Sequence, residues 1–360
     1  MARPPFDTLL PTMVVGSLPR PRWVVDIIRE RTQGALSPGA ADRLLDTAVM
    51  SAIRLQERAG LDYISDGEWR RENYVRVFAD KVGGFRRERV QRGPLTQLAF
   101  VEKALERRGP IVTDEAEFLL KNTERKTLVT LPAPCTLADL MWHPQHSATA
   151  YPTKRGFIKA CVPVIREEMV ALGKLGVAAV QLDEPLLPRL TNPTVYGTGP
   201  DTPAEVVELS VESINQVTEG LDDIFVTVHL CHGHGEPRSN IPEGTDLMKQ
   251  AVEGIHADRL AMEFNSTVAR SLQSLADFPA DKILGLGVVV PGDEEIETPE
   301  AVVQRAEAAL QFVDADRVTI NPDCGFATTA GRGELLDRAY LKLSAMCEGA
   351  RILRQRAFSA

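Results

Sequence analysis

Short apolar segments alternate with longer segments of helical periodicity along nearly the whole chain of 360 residues. Eight of the short segments are continuously apolar and rich in β-branched residues, which is typical of strands buried on both faces. They lie at residues 12–15, 62–65, 127–131, 177–182, 224–230, 259–262, 283–289 and 317–320. Amphipathic helices are predicted between them, at residues 40–60, 157–175, 204–220, 299–312 and 334–357. Eight strands alternating with helices predict a single α/β domain, a (β/α)8 TIM barrel spanning residues 1–360, rather than a doubly wound open sheet.

The composition excludes several classes of protein. Apolar residues make up 44% and charged residues 25% of the chain, as in ordinary folded domains. A net charge of −9 disfavours a duplex nucleic-acid binder. The sequence contains no run of 18 apolar residues, so no membrane-spanning helix is predicted. The N-terminal MARPPFDTLL lacks the layout of a signal peptide, and five scattered cysteines suit a reducing compartment. We expect a cytoplasmic protein with small-molecule partners, and a homodimer remains open.

One segment, residues 83–126, is longer than a connection after the second strand needs. It carries Arg86, Arg87, Arg89, Arg92, Arg107 and Arg108, among other charged residues. A charged segment of this kind is commonly a solvated surface excursion. Alternatively, it is a basic insert beside the barrel mouth that attracts an anionic substrate.

Chemically reactive side chains follow the predicted strands repeatedly at their carboxyl ends. These residues are Ser17, Asp66, Glu68, Asp183, Glu184, His229, Cys231, Glu263, Asp323 and Cys324. Barrel enzymes build their active sites at this face, from the ends of several strands. The coincidence therefore predicts an enzyme with its site at that end of the barrel.

His229 and Cys231 are the first candidates for metal ligands. Side chains at positions i and i+2 of a strand point to the same side, so both can reach one ion. An imidazole with a thiolate suits zinc, and Cys324 and Glu263 could complete four ligands from other strand ends. His232 and His234 lie in a glycine-containing loop, and we expect them near the ion or exposed rather than as ligands.

The acidic pairs allow three interpretations. Asp66 with Glu68, and Asp183 with Glu184, could serve as general acids and bases. They could instead bind a cationic group such as an α-ammonium, or form salt bridges with Arg70 or Arg71. Ser17 follows a glycine and offers a hydroxyl and backbone N–H groups to a carboxylate. The sequence contains no P-loop, dinucleotide fingerprint or G-x-S-x-G elbow.

Six motifs occur in the order VVGSLPRP, SDGEWRRENY, QLDEP, HLCHG, MEFNS and NPDCGF. Together they resemble the catalytic barrel of cobalamin-independent methionine synthase and its single-barrel relatives, over nearly the whole chain. The resemblance implies a zinc ion held by His229, Cys231, Glu263 and Cys324. It also implies that Ser17, Glu68 and Asp183 bind the amino and carboxylate groups of homocysteine. Trp142 matches the tryptophan that stacks on folate in that family, with looser spacing.

The family places a proton-relay histidine after the seventh strand, and this sequence has Glu297 there. We therefore assign proton transfer to Glu297 or Asp323, and expect a methyl donor more reactive than methyltetrahydrofolate. The resulting hypothesis is a zinc-dependent S-methyltransferase that converts homocysteine to methionine.

Two alternatives to this hypothesis remain open. One is a transferase of the epoxyalkane:coenzyme M type, in which Arg20, Arg70 or Arg71 would bind the sulfonate. The other is a binding module with a structural zinc.

Overall fold

The computed structural model describes residues 6–88, 90–92, 95–97, 99–185, 187–190, 202–231, 246–264, 272–326 and 335–357. Its centre is a curved parallel sheet with the strand order β1, β6, β7, β8, β9, β10, β11. These strands are β1 (Tyr63–Ile64), β6 (Lys126–Pro132), β7 (Ala179–Asp183), β8 (Val226–Leu230), β9 (Arg259–Met262), β10 (Ile283–Val289) and β11 (Val318–Pro322). Four further strands, in the predicted insert, are β2 (Val82–Arg86), β3 (Val90–Arg92), β4 (Leu95–Gln97) and β5 (Phe100–Arg107).

The first predicted strand closes the curved sheet. Thr12 forms a parallel bridge with Ile320 of β11, and Met13 forms one with Tyr63 of β1. The chain at residues 12–13 therefore occupies the eighth position between the first and last strands, although it is too short to count as a strand. Each of the other seven predicted segments overlaps a strand of the sheet. The prediction of a (β/α)8 barrel is confirmed.

Helices cover the outside of the sheet. They are α1 (Arg22–Thr32), α2 (Pro38–Ala59), α3 (Arg76–Lys81), α4 (Thr113–Lys121), α5 (Pro134–Met141), α6 (Pro144–Ser147), α7 (Lys154–Leu175), α8 (Leu187–Leu190), α9 (Pro203–Thr218), α10 (Asp246–Gly254), α11 (Pro299–Ala309) and α12 (Leu336–Ala357). The long α2 begins with a proline in its first turn, where the missing N–H costs nothing. It ends at Gly60, whose φ of 95° is left-handed and favours glycine. All five helices predicted from periodicity are present.

A polar layer lies inside the barrel. Arg259 is fully buried and donates hydrogen bonds to Thr227 Oγ1 (3.0 Å), Thr319 Oγ1 (2.6 Å) and Asn321 Oδ1 (2.6 Å). Because neutral oxygens hold it, burial lowers the pKa of this guanidinium to about 9. The layer starts at the amino ends of β8 and β9, where Thr227 and Arg259 lie, and fixes β8, β9 and β11 relative to one another.

The insert contains two antiparallel pairs, β2 with β5 and β3 with β4, followed by α4. Its anchor is the fully buried Glu168 of α7. One carboxylate oxygen accepts from the backbone N–H groups of Ile111, Val112 and Thr113 (2.7–2.9 Å) and from the Thr113 hydroxyl (2.6 Å). The other oxygen pairs with Arg107. This single carboxylate therefore ties the insert to the barrel wall.

Several arginines of the insert form ion pairs with nearby carboxylates, as Arg107 does with Glu168. Arg86 pairs with Glu88, Arg87 with Asp80, and Arg108 with Glu106. The side chains of Arg89 and Arg92 lie outside the described residues. No helix in the described part of the chain is both long and apolar enough to cross a bilayer.

Candidate metal and substrate site

Three potential metal ligands converge at the carboxyl ends of the strands. His229 is the fourth residue of β8, Cys231 directly follows β8, and Cys324 lies two residues after β11. The ligand atoms of all three lie within 4.8 Å of one another, and the two sulfur atoms are 3.4 Å apart. His229 and Cys231 are buried, and Cys324 is partly buried. The structure thus brings together residues separated by 93 positions in the sequence.

The donor atoms match what a zinc ion requires. His229 Nε2 is buried, and because Nδ1 contacts Asp183, Nε2 is the ring nitrogen left for a metal. Two thiols beside one imidazole nitrogen form a sulfur-rich donor set typical of zinc sites. Glu263, the fourth predicted ligand, directly follows β9 beside this group and is partly buried. Its carboxylate is not part of the group of three, so its role as a ligand stays a prediction.

Asp183 orients the imidazole. Its Oδ1 lies 3.1 Å from His229 Nδ1 and also accepts from Gln181 Nε2 at 2.8 Å. Gln181 in turn donates to the Val15 carbonyl at 2.6 Å. Because a carboxylate only accepts, it selects the tautomer with the proton on Nδ1 and leaves Nε2 for a metal. The sequence assigned Asp183 to substrate, and the structure adds this contact with His229.

Glu68 lies in a strained turn between β1 and α3. Its φ of 58° is left-handed, which is unusual for a residue with a side chain. Oε1 accepts from Thr130 Oγ1 at 2.8 Å, and Oε2 is buried without a hydrogen-bond partner among the described residues. Burial raises the pKa of this carboxyl, Arg71 opposes the shift, and Asp183 adds to it. A strained residue with an unsatisfied buried oxygen is typical of a ligand-binding position.

Gly16 and Ser17 pack against this turn. A Cβ at Gly16 would lie 2.8 Å from Glu68 Oε1, so only glycine fits beside the carboxylate. The Leu18 N–H donates to the Gly67 carbonyl, and the Phe326 N–H donates to the Ser17 carbonyl. Ser17 therefore lies between the SDGEWRRENY and NPDCGF motifs, as a shared site requires.

Glu184 forms no ion pair with Arg70 or Arg71 in the structure. It is fully buried, and its Oε1 accepts from Thr136 Oγ1 at 2.9 Å. Burial raises the pKa of this carboxyl to about 8. Arg70 pairs with Asp46, and Arg71 pairs with Glu115. Among the described residues, Glu184 therefore has neither of these two salt bridges, whereas Glu68 lies 3.7 Å from Arg71.

The two predicted proton-transfer residues differ in position. Asp323 Oδ1 accepts from the Phe264 N–H at 2.9 Å, one residue before Cys324. Glu297 is buried, although the acidic run around it suggests an exposed loop. Its carboxylate accepts from the Val290 N–H (2.7 Å) and from Lys342 Nζ of α12 (2.8 Å). Glu297 thus connects the end of β10 to an outer helix.

Trp142 directly follows α5, an eight-residue helix that starts at the site face. At about 1.5 Å per residue this places it roughly 12 Å along the helix from that face. Its indole N–H donates to the Tyr151 carbonyl at 2.9 Å. Its predicted stacking on folate stays a prediction. His232 and His234 lie outside the described residues.

Three residues at the site were missed in the sequence. Thr130 in β6 contacts Glu68, and Glu115 in α4 contacts Arg71. Tyr74 is the third. Burial raises the pKa of its phenol, and the charges of Asp183 and Cys231 raise it further, which indicates that Tyr74 lies close to both residues. Tyr74 ends the SDGEWRRENY motif, which was a usable signal. Glu115 carried none, since it lies in the insert.

The fold and the site define a class, a parallel α/β barrel with an imidazole and two thiols at its strand ends. The family model described as the catalytic domain of cobalamin-independent synthase matches residues 10–351. The chain belongs to this family. Membership makes it an enzyme, as the motifs predicted.

Relatives agree over nearly the full length. The methionine synthase of Pyrococcus horikoshii is 30% identical over 353 residues, covering 96% of this chain and 94% of the relative. That of Saccharolobus solfataricus is 28% identical, with 96% of both chains covered. A solved B12-independent methionine synthase from Shewanella sp. W3-18-1, in complex with selenomethionine, has a TM-score of 0.81. It is 24% identical and covers 98% of this chain and 100% of its own, which supports the fold.

Proposed function

We propose that the chain is a zinc-dependent methyltransferase that converts homocysteine to methionine. The observation that carries this proposal is the group of His229 Nε2 and the thiols of Cys231 and Cys324, set beside two buried carboxylates. Zinc held there lowers the pKa of a coordinated thiol, so that the reactive thiolate is present at neutral pH. The full-length match to proteins named methionine synthase supports the same reaction.

The carboxylates support an amino-acid thiol as the substrate. Glu68 Oε2 is buried and unsatisfied among the described residues, and the charge of Asp183 raises the pKa of Glu68. Two buried carboxylates that destabilise each other gain from an ammonium group placed between them. We assign the substrate carboxylate to the Gly16–Ser17 turn, with its hydroxyl and backbone donors. Together these residues orient the substrate thiol toward the metal group.

The reaction forms a bond from sulfur to the methyl carbon as the bond from that carbon to the donor breaks. The thiol proton is lost before attack, and the leaving group of the donor takes up a proton. Asp323 is the better placed of the two predicted relays, because it adjoins Cys324. Glu297 already binds Lys342 and the Val290 N–H, so we propose a structural role for it. Because Glu297 stands where the family has its relay histidine, we propose that the methyl donor is a carrier more reactive than methyltetrahydrofolate.

The five cysteines support a reducing location, since none forms a disulfide and four are buried. We propose the cytoplasm on this ground.

A thiol screen tests the function directly. Zinc-supplemented protein is titrated calorimetrically with L-homocysteine and with coenzyme M, and methionine formation is measured with methyltetrahydrofolate and with a more reactive methyl donor. We expect homocysteine to bind about tenfold more tightly or better, a difference of roughly 1.4 kcal/mol, because the Glu68 carboxylate, whose Oε2 has no hydrogen-bond partner among the described residues, repels a sulfonate. The arginines proposed for that sulfonate are already bound to protein oxygens: Arg20 to the Glu68 carbonyl, Arg70 to Asp46 and Arg71 to Glu115. Tighter binding of coenzyme M, or binding of neither thiol, would contradict the proposal.

A further inference from the structure

The insert contributes a buried acidic residue to the wall of the substrate site. Glu115 lies in the first turn of α4, and 6% of its surface is exposed. Its Oε2 accepts from Arg71 Nε at 2.8 Å. Arg71 is also buried and follows Glu68 by three positions. Helix α4 thus reaches, through one arginine, the carboxylate assigned to the substrate ammonium group.

Arg71 is shared between two carboxylates, and the sharing is unequal. Its Nη1 donates to the carbonyl (3.1 Å) and hydroxyl (2.9 Å) of Thr130 and lies 3.7 Å from Glu68 Oε1. Glu115 therefore contacts the Arg71 guanidinium directly, whereas Glu68 is linked to it through the Thr130 hydroxyl. A nearby anion stabilises a buried guanidinium strongly, and removing that anion leaves an uncompensated buried charge. If Glu115 were neutral, Glu68 would become the main counter-charge of Arg71.

We propose that Glu115 is a positioning residue that balances the charge of Arg71 and so leaves the Glu68 carboxylate available to the substrate ammonium group. The proposal rests on the assignment of Glu68 to that group. It gives the insert a role in substrate selection through a buried contact, distinct from attraction by its surface arginines.

The charges around Glu115 predict a pH dependence. Burial raises its pKa to about 7, Arg71 lowers it, and Asp66 and the neighbouring Asp114 raise it further. A pH change from 8 to 6 therefore converts Glu115 from mostly ionised to mostly protonated. Arg71 then loses its ionised partner, and Glu68 becomes its main counter-charge. Binding of an ammonium group weakens over the same pH range.

The test compares two ligands that differ only in the amino group, L-homocysteine and 4-mercaptobutyrate, by calorimetry on zinc-supplemented protein. The ratio of their affinities isolates the ammonium contact, because thiol and carboxylate contributions cancel. For Glu115→Gln, which keeps an oxygen acceptor for Arg71, we expect this ratio to fall about tenfold at pH 8. The matched control is Glu117→Gln on the same helix, where an exposed carboxylate pairs with Lys121. For Glu117→Gln we expect the same affinity ratio as in the wild type. In the wild type itself, we expect the ratio to fall from pH 8 to pH 6.

An unchanged ratio in folded Glu115→Gln overturns the proposal, as does equal weakening of both ligands, which indicates a purely structural role. If this variant does not fold, a wild-type ratio that is constant from pH 8 to pH 6 overturns it instead. Failure of the proposed function gives a different result, because the wild type itself would then show no preference for homocysteine.

Discussion

Replacement of Asp183 should weaken metal binding although this residue is not itself a predicted ligand. Its Oδ1 lies 3.1 Å from His229 Nδ1 and is itself held by Gln181. Partners of this kind contribute about 10–100-fold to metal affinity. Asp183→Asn keeps a neutral acceptor at the same place, so we expect about a tenfold loss, or about 1.4 kcal/mol. Asp183→Ala leaves the Nδ1 proton without its acceptor, and we expect a loss near the upper end of the range.

The assay is a competition titration of zinc-loaded protein against a chromophoric chelator at fixed pH. The control is Glu68→Gln, which alters the other carboxylate of the site but contacts no predicted ligand. We expect its zinc affinity to equal that of the wild type. Equal zinc affinities in Asp183→Ala and the wild type would refute the conclusion that Asp183 orients His229. Equal losses in Asp183→Ala and Glu68→Gln would instead indicate a general effect of negative charge.

Three further changes test other parts of the account. Glu68→Gln should weaken homocysteine binding by about 1.5–3 kcal/mol, the usual value for a hydrogen bond to a charged group, as measured calorimetrically. Glu168→Ala breaks a buried ion pair and leaves backbone N–H groups of the insert unsatisfied, so urea denaturation should show a loss of about 3–5 kcal/mol, against less than about 1 kcal/mol for exposed Glu167→Ala. Glu297→Gln leaves a buried lysine without its counter-charge and should lower the thermal midpoint, while methionine formation per folded molecule stays at the wild-type rate with every donor.

The fold could be predicted from the sequence because strands of a parallel barrel are buried on both faces. Each is therefore a continuous apolar run, and seven of the eight runs form strands. The first run, residues 12–15, contributes only two isolated bridges. An apolar pattern in the sequence indicates a buried segment, but it does not show how many of its residues pair with neighbouring strands. The internal order of the insert was not predictable. Its anchor, Glu168, lies in an ordinary amphipathic helix and carries no local signal.

The metal group could be predicted because a histidine and two cysteines fall at strand ends, which meet at one face of any barrel. The residues that contact the site could not be predicted from the sequence. Nothing in the sequence places Thr130 against Glu68, or α4 against Arg71, because these contacts depend on how strands and insert pack. Glu297 was assigned to proton transfer from its position at the family's relay histidine, whereas in the structure it contacts Lys342, 45 positions further along the chain.

The central claim is that His229, Cys231 and Cys324 hold one zinc ion, and elemental analysis of purified protein tests it most directly. We expect about one zinc per chain in the wild type, since a four-ligand site binds a single ion. Cys231→Ser and Cys324→Ser should each lose most of it, whereas Cys161→Ser, whose thiol is buried within α7, should keep it. Full zinc retention in both ligand variants, or the same loss in Cys161→Ser, would contradict the account.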